Sequence, residues 1–515
     1  MFLESEEGDH FYMLKIIDLK VTTNKGRKLV DSFSFVLKPG DKIALIGEEG
    51  NGKSTILKIL AGKDVSDYVS YSGTVSCDER IGYLPQRIPE EDLNKDVISY
   101  IDEQIDYNHL YSLLSKIDVD ADLLSDRILR TLSGGEKVKI AILKILYEDP
   151  DILLLDEPSN DLDLKTLLWL EDFIINTRLP LIFVSHDEAL LESCANGILH
   201  LEQLKRKSEP HMNFAALSYE EYVSSRDVFI NRNNKIAAKE KAQFDKQLDK
   251  WRKIYQKVEH RQNTISRADP HGGQLLKKKM HAVKAQGRNL EEKKEQLRKP
   301  YEPEEAIDVF FDEVDLNPNK VILDLELPLL QIEEKVLGRD IKLKVFGKDK
   351  ICIIADNGTG KSTLMKKIYE LLKDREDIRL GYMPQNYSEM MDMDVTAVDF
   401  LWDGVSKDSR SRASTLLGTL KFTAEEMEHS IAHLSEGQKC KLFFAKLIYD
   451  HDDVLLLDEP TRNLSALSGP KIREILCAFK GCIIAISHDR KFIDEVADSV
   501  YELRESGLRC LDDDL

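Results

Sequence analysis

The amino-acid sequence predicts an α/β fold, two parallel-sheet domains joined by a long antiparallel α-helical hairpin. Three observations carry that expectation. A short apolar strand, a Gly-rich loop and a helical pattern follow one another around residues 42–60, and the same kind of loop returns at 355–363. A four-residue apolar run ending in Asp-Glu-Pro also occurs twice, at 152–158 and 454–460, as a central strand covered on both faces would require. Between the copies, apolar residues recur at coiled-coil spacing in a stretch rich in lysine and arginine.

The 515 residues suffice for about three folding units at ~150 residues each. The repeat places one domain at 1–218, a linker at 219–304 and a second domain at 305–515. A net charge of -20 argues against a generic nucleic-acid binder, because phosphate binding needs positive surface. No run of ~18 apolar residues occurs, so no membrane domain is expected. The acidic N-terminus lacks an apolar secretion core. The seven cysteines are scattered and never spaced C-x-x-C, which reads as free thiols in a reducing cytoplasm.

In the first copy, Lys42-Ile43-Ala44-Leu45-Ile46 reads as a buried strand. It enters Gly47-Glu48-Glu49-Gly50-Asn51-Gly52-Lys53-Ser54-Thr55, followed by a helical pattern. Strand, Gly-rich loop and helix are the context a P-loop needs. Gly47, Gly50 and Gly52 let backbone N–H groups wrap phosphates, and the helix N-terminus adds its positive dipole end. Lys53 is placed for the β- and γ-phosphates of ATP, Ser54 for Mg2+, and Thr55 completes the loop. The second copy supplies Asn357, Gly358, Gly360, Lys361, Ser362 and Thr363 in the same places.

The acidic strands come next. A carboxylate pair at the C-terminal end of a central strand lies where open α/β sheets bind ligands. Asp156 and Asp458 are therefore Mg2+ candidates, and Glu157 and Glu459 are candidates for polarising the attacking water. A further apolar strand in each copy ends at His186 and His488, placed to contact the γ-phosphate and that water.

Two more motifs restrict the class. Leu132-Ser133-Gly134-Gly135-Glu136 and Leu434-Ser435-Glu436-Gly437-Gln438 each open a helical stretch at matching distance before the acidic strand. Their serine hydroxyls and N–H groups would face an anion at a helix N-terminus. Together these motifs resemble those of ABC ATPases throughout both halves. Gln86 and Gln385, in Gly82-Tyr83-Leu84-Pro85-Gln86 and Gly381-Tyr382-Met383-Pro384-Gln385, resemble the family's Q-loop, which also serves the metal. The resemblance implies an intramolecular head-to-tail sandwich in a monomer, with two ATP molecules at the interface. One site would join Lys53, Ser54, Gln86, Asp156, Glu157 and His186 to Ser435 and Gly437. The other would join Lys361, Ser362, Gln385, Asp458, Glu459 and His488 to Ser133 and Gly135.

Some positions depart from the family pattern. Ala355 replaces the first glycine of the second P-loop, which predicts a less relaxed turn there. Glu436 replaces a signature glycine. No aromatic residue in 21–28 or 325–336 offers itself as an adenine platform. Ser159-Asn160 after Glu157 contrasts with Thr461-Arg462 after Glu459, so unequal turnover at the two sites is expected.

Residues 226–299 carry 21 lysines and arginines against 9 aspartates and glutamates, a net of +12, which leaves the remainder of the chain at −32. That asymmetry suggests a polyanionic partner. Phe244, Leu248, Trp251, Tyr255 and Val258 step by four and three, and Leu276, Val283, Leu290 and Leu297 step by seven. Ala268-Asp269-Pro270-His271-Gly272-Gly273 reads as the turn between two helices, the first running over 219–266. Twin cassettes with a basic two-helix linker resemble the ABC-F family. The resemblance implies binding at the ribosomal tRNA exit site, with the hairpin reaching P-site tRNA and 23S rRNA near the peptidyl-transferase centre. Arg267, Lys277, Lys278 and Lys279 are the RNA-contacting candidates at its tip. The run Glu459-Pro460-Thr461-Arg462-Asn463-Leu464-Ser465 resembles the antibiotic-resistance branch of the Vga/Lsa/VmlR type. Only 45 residues separate Gln86 from Leu132, too few for the extra arm of housekeeping members, and no C-terminal coiled-coil extension is expected after the second cassette. Three other readings stay open: a housekeeping factor for stalled ribosomes, the energiser of a separate transporter, and a DNA-repair or chromosome ATPase.

Overall fold

The computed structural model describes the chain apart from residues 1–12, 125–126, 161, 205–208, 265–269, 302, 304–308, 312–313, 315, 333–334, 403 and 512–515. The chain divides into two compact units, Met1–Tyr219 with Glu304–Leu515, and Glu220–Pro303.

In the first unit each copy of the repeat builds a six-stranded sheet with the same winding. The first runs in the order Ile81–Leu84, Ile152–Asp156, Leu181–Val184, Lys42–Ile46, Gly197–Gln203, Glu209–Ala215. The second runs Leu380–Met383, Val454–Asp458, Cys482–Ile486, Lys350–Ile354, Ser499–Arg504, Gly507–Cys510. All neighbours are parallel except the last pair of each sheet. The continuous apolar runs explain the central position of their strands. Every residue of Ile152–Asp156 and of Val454–Asp458 is buried, so neither strand has a face to give to water.

The parallel arrangement brings the C-terminal ends of four strands together in each copy. Lys42–Ile46 delivers the first P-loop, Ile81–Leu84 leads to Gln86, Ile152–Asp156 ends on the Asp156–Glu157 pair, and Leu181–Val184 leads to His186. The second copy repeats this with Lys350–Ile354, Leu380–Met383, Val454–Asp458 and Cys482–Ile486. The strands Leu14–Thr23, Lys28–Leu37 and Val69–Ser76 form a separate antiparallel sheet in the first copy. Its counterpart is the pair Val321–Ile332 and Lys335–Phe346.

The unit Glu220–Pro303 contains most of the helix Tyr219–Thr264 and all of Pro270–Gln296. The first helix has 46 residues, about 69 Å at ~1.5 Å per residue. The two are antiparallel. Trp251 Nε1 donates to the Val283 carbonyl at 2.8 Å, Val258 packs with Met280 and Val283, and the Tyr301 N–H donates to Asn234 Oδ1 at 2.7 Å. The seam positions Phe244, Val258, Val283 and Leu290 are buried. Of the turn expected at 268–273, residues 268–269 lie outside the described residues, and 270–273 need correction, because the second helix has already begun at Pro270. Proline's fixed φ suits a first helical turn, so it starts this helix and the two glycines after it continue it.

Candidate nucleotide-binding sites

Gly52 and Gly360 cap the helices Lys53–Leu60 and Lys361–Leu372 with φ of 102° and 97°, a left-handed conformation that costs glycine least. Gly47 also has positive φ, and a side chain there would run into the Leu201 carbonyl. Ala355, at the same place in the second loop, is not among the residues of positive φ. The second loop therefore turns without a left-handed residue at that position, and the less relaxed turn expected from the alanine is not found.

Lys53 Nζ lies 2.8 Å from the Gly47 carbonyl and 3.2 Å from that of Glu48. Lys361 Nζ repeats the contact with Ala355 at 2.7 Å and Asp356 at 3.0 Å. Each ammonium thus points into its own loop, and burial lowers the pKa of both. The Ser54 hydroxyl donates to Asp156 Oδ1 at 3.0 Å, and Ser362 bonds Asp458 in the same way. A hydroxyl and one carboxylate are donors Mg2+ accepts, since it keeps several waters and takes the remaining oxygens from phosphate. Burial raises the pKa of Asp156 and Asp458, and a cation beside them would reverse that trend.

Glu157 and Glu459 follow their aspartates with φ of 51° and 56°. Non-glycine residues held there carry strain of about 1–3 kcal/mol, which clusters at functional sites. The two glutamates then diverge. Glu157 accepts from Asn160 Nδ2 at 2.5 Å, lies 3.0 Å from His186 Nε2 and 3.4 Å from Gln86 Nε2. Burial alone would raise its carboxyl, but His186, Lys53 and Asn160 outweigh burial and hold it at about 2. Glu459 lies 3.8 Å from His488 Nε2, beyond a hydrogen bond, and accepts from the His488 N–H at 3.3 Å. Burial, then Asp458, pushes its carboxyl up to about 8. Burial and Lys361 lower His488 to about 4.

The signature serines stand where helix capping puts them. Ser133 and Ser435 each cap a 14-residue helix, Gly134–Tyr147 and Glu436–Tyr449, in a capping box with Glu136 or Gln438. Gly135 packs against Thr166, where a side chain would not fit. One cavity of about 880 Å³ joins the two copies. Its walls include Ser133 and Gly134 from the first copy, and Asn357, Gly358, Gly360, Lys361, Ser362, Thr363, Gln385, Asp458, Glu459 and His488 from the second. Seven of the eight residues expected of the second composite site thus line one space, and Gly135 is not among them. Aliphatic Ile332 and Leu337, with Lys335, line it as well, where no aromatic platform was found in the sequence.

At the other junction the first P-loop meets the second signature helix directly. Glu49 accepts from the Gly437 N–H. Glu48 binds Lys441 at 2.7 Å, and the Ser465 and Ser468 hydroxyls donate to its other oxygen. Burial would raise the Glu48 carboxyl, but Lys441 and the two hydroxyls hold it at about 2. Sequence reasoning missed Glu48 and Glu49, and also Asn160 and Tyr83, whose hydroxyl donates to Asp156 at 3.3 Å. The linker-tip candidates are far apart in status. Lys277, Lys278 and Lys279 are exposed on the helix Pro270–Gln296, whereas Arg267 lies outside the described residues.

The family described as "ABC transporter" matches residues 30–160 and 339–462, one match to each copy of the site. Over 94% of its length the chain is 27% identical to ABC transporter F family member 2 of Arabidopsis thaliana, covering 75% of that protein. The chain is an ABC-F type twin-cassette ATPase. It is also 27% identical to the ATP-binding protein Uup of Escherichia coli, over 93% of this chain and 78% of that one. Among solved structures, the complex of archaeal ribosomal stalk protein aP1 with the archaeal ribosome recycling factor aABCE1 shares the fold. Its TM-score is 0.59 at 17% identity, covering 93% of this ATPase and 87% of that chain. Among the described residues of the twin-cassette chain, no helix is long and apolar enough to cross a membrane.

Proposed function

We propose that this ATPase closes its two cassettes on two ATP molecules and uses that closure to act on the ribosome. The carrying observation is the single cavity that joins Ser133 of one cassette to Lys361, Ser362, Gln385, Asp458, Glu459 and His488 of the other. Neither cassette holds all of these groups, so a nucleotide seated there contacts both and favours the closed arrangement. In the first site Lys53, Gly47, Gly50, Gly52, Thr55 and the loop N–H groups bind phosphates, with Ser435 and Gly437 facing them. Ser54, Asp156 and Gln86 hold Mg2+, as Ser362, Asp458 and Gln385 do in the second site. Bound Mg2+ supplies charge neutralisation on the phosphates. Glu157 and Glu459 orient the attacking water, and His186 and His488 contact the γ-phosphate.

The ribosome enters through charge and resemblance. Lys277, Lys278 and Lys279 present three exposed ammonium groups in a linker of net charge +12, on a chain that is otherwise acidic. Ribosomal RNA and tRNA are polyanions whose binding is driven by counterion release. A solved neighbour of the same fold is a ribosome recycling factor. The likeness of residues 459–465 to the resistance branch favours target protection, in which the hairpin reaches P-site tRNA and 23S rRNA and dislodges a peptidyl-transferase antibiotic. Rescue of stalled translation is the runner-up. The work is cytoplasmic in either case.

Glu157→Gln combined with Glu459→Gln tests the reading. The double variant should bind ATP, lose turnover by about 10²–10⁴, and co-sediment with 70S ribosomes rather than with membranes. Turnover near that of the wild type would show that the glutamates do not orient water. Sedimentation with membranes would remove the ribosome from the proposal. Unchanged drug susceptibility in cells making the wild-type protein would favour rescue over protection.

A further inference from the structure

Aligning the two cassettes on Ser185-His186-Asp187 and Ser487-His488-Asp489 sets Glu188 against Arg490 and, without a gap, Glu171 against Arg473. At two equivalent positions the first cassette carries glutamate and the second carries arginine. In the fold these four residues meet across the junction in two pairs of the same kind. Arg473 reaches Glu188 with both terminal nitrogens, at 2.6 and 3.1 Å, and its side chain is 3% exposed. Arg490 donates to Glu171 at 2.7 Å, with Asp187 at 3.7 Å. Each pair joins the residue two after the catalytic histidine candidate of one cassette to the long-helix position of the other. Lys491 adds a third contact of the same polarity with Glu192 at 2.7 Å.

Such an arrangement discriminates. If two first cassettes met through this face, Glu188 would confront Glu171. If two second cassettes met, Arg490 would confront Arg473. Like charges brought together at a half-buried junction exclude the wrong partner, whereas unlike charges fix the register of the right one. Arginine suits the task, because its planar fork engages a carboxylate with two bonds. We propose that these Glu/Arg pairs are a pairing code that admits only an unlike cassette to the sandwich, so that the chain folds back on its own second half instead of pairing like with like. The two pairs are not equal. Among the described residues Nε and Nη2 of Arg490 have no hydrogen-bond partner, so Glu188–Arg473 is the tighter of the two.

The inference rests on the ATP-sandwich reading, and its test separates the two. Arg473 also binds Glu495 of its own cassette at 2.8 Å, so reversing it would disturb folding as well as pairing. The ion pairs of Arg490, by contrast, are with Glu171 and Asp187 of the other cassette. The experiment therefore uses Arg490→Glu, Glu171→Arg and the double variant in the full chain. ATP turnover is measured, together with the separation of a spin label on each cassette with and without ATP. Each single reversal should lower turnover by about tenfold or more and deplete the short-distance population, as expected for confronted like charges. The double variant should recover to within about threefold of wild type. Single variants indistinguishable from wild type, or a double variant no better than the singles, would overturn the code while leaving the sandwich intact. If the wild type itself shows no ATP-dependent change in separation, the sandwich reading fails and the code with it.

Discussion

Glu49 occupies a place that ATP needs. Its carboxylate takes the Gly437 N–H at the start of the helix Glu436–Tyr449, a donor that the composite-site reading assigns to bound nucleotide. One N–H cannot serve both acceptors fully, so the two compete. A hydrogen bond to a charged group contributes about 1.5–3 kcal/mol, and a neutral acceptor gives roughly half of that. The second P-loop shows the neutral alternative, with Asn357 where the first has Glu49. Glu49→Asn should therefore remove about 0.75–1.5 kcal/mol of opposition, and also one negative charge from a loop that must wrap phosphates, tightening first-site ATP binding by roughly three- to tenfold. The assay is titration with a fluorescent ATP analogue in a Lys361→Ala background, so that the first site dominates the signal. Lys53→Ala in the same background supplies the floor. Unchanged affinity would refute the competition, and weaker affinity would show that Glu49 assists the nucleotide.

The two sites should also separate by pH. Glu459 stands at about 8 and must be ionised to orient water, so turnover by Lys53→Ala protein, which retains the second site, should rise with pH through that value. Glu157 stands at about 2, so Lys361→Ala protein should show no carboxylate-linked rise between pH 6 and 9; equal profiles would refute the asymmetry. The same shift has a stability consequence. A carboxyl raised from 4.5 to about 8 on folding stabilises the folded form fully below 4.5, and that contribution is lost as pH rises through 8. Glu459→Gln should flatten that part of a melting-temperature profile. At the linker, replacing Arg267, Lys277, Lys278 and Lys279 by alanine should leave basal ATP turnover intact, weaken ribosome pelleting and reduce its salt dependence. Identical pelleting of both proteins at two salt concentrations would count against RNA contact.

What the sequence disclosed depended on the range of the interaction. The P-loops, acidic strands and signature serines were legible because each works within a few residues of backbone, where spacing fixes geometry. Ser133 and Ser435 are examples, since a serine three residues before Glu136 or Gln438 caps a helix wherever that helix packs. Glu48, Glu49, Glu171 and Glu188 were not legible, because isolated acidic residues read as solvated until the fold sets the other cassette against them. The difference between Glu157 and Glu459 was anticipated only as Asn160 against Arg462. Its cause includes the reach of two histidines, 3.0 Å in one site and 3.8 Å in the other, which no motif encodes. At the linker turn, Pro270 and the glycines punctuate equally well as a loop or as a helix start, and the helix prevailed.

The seam of the linker hairpin carries a consequence for its length. A side chain on Gly287 would press into the Trp251 indole, which also donates to the Val283 carbonyl one turn away. The ring is seated in a notch of the opposite helix, so the helices cannot slide past each other even by one residue, about 1.5 Å, without losing both contacts. That makes the hairpin a ruler of fixed reach rather than an extensible rod. Adding seven residues to each helix on the tip side of Trp251 and Gly287 would preserve the seam and advance the tip by about 10.5 Å. Adding them to one helix alone would force the excess into the turn. Reach and register are therefore set separately, by the number of heptads in the two helices and by the notch at Gly287.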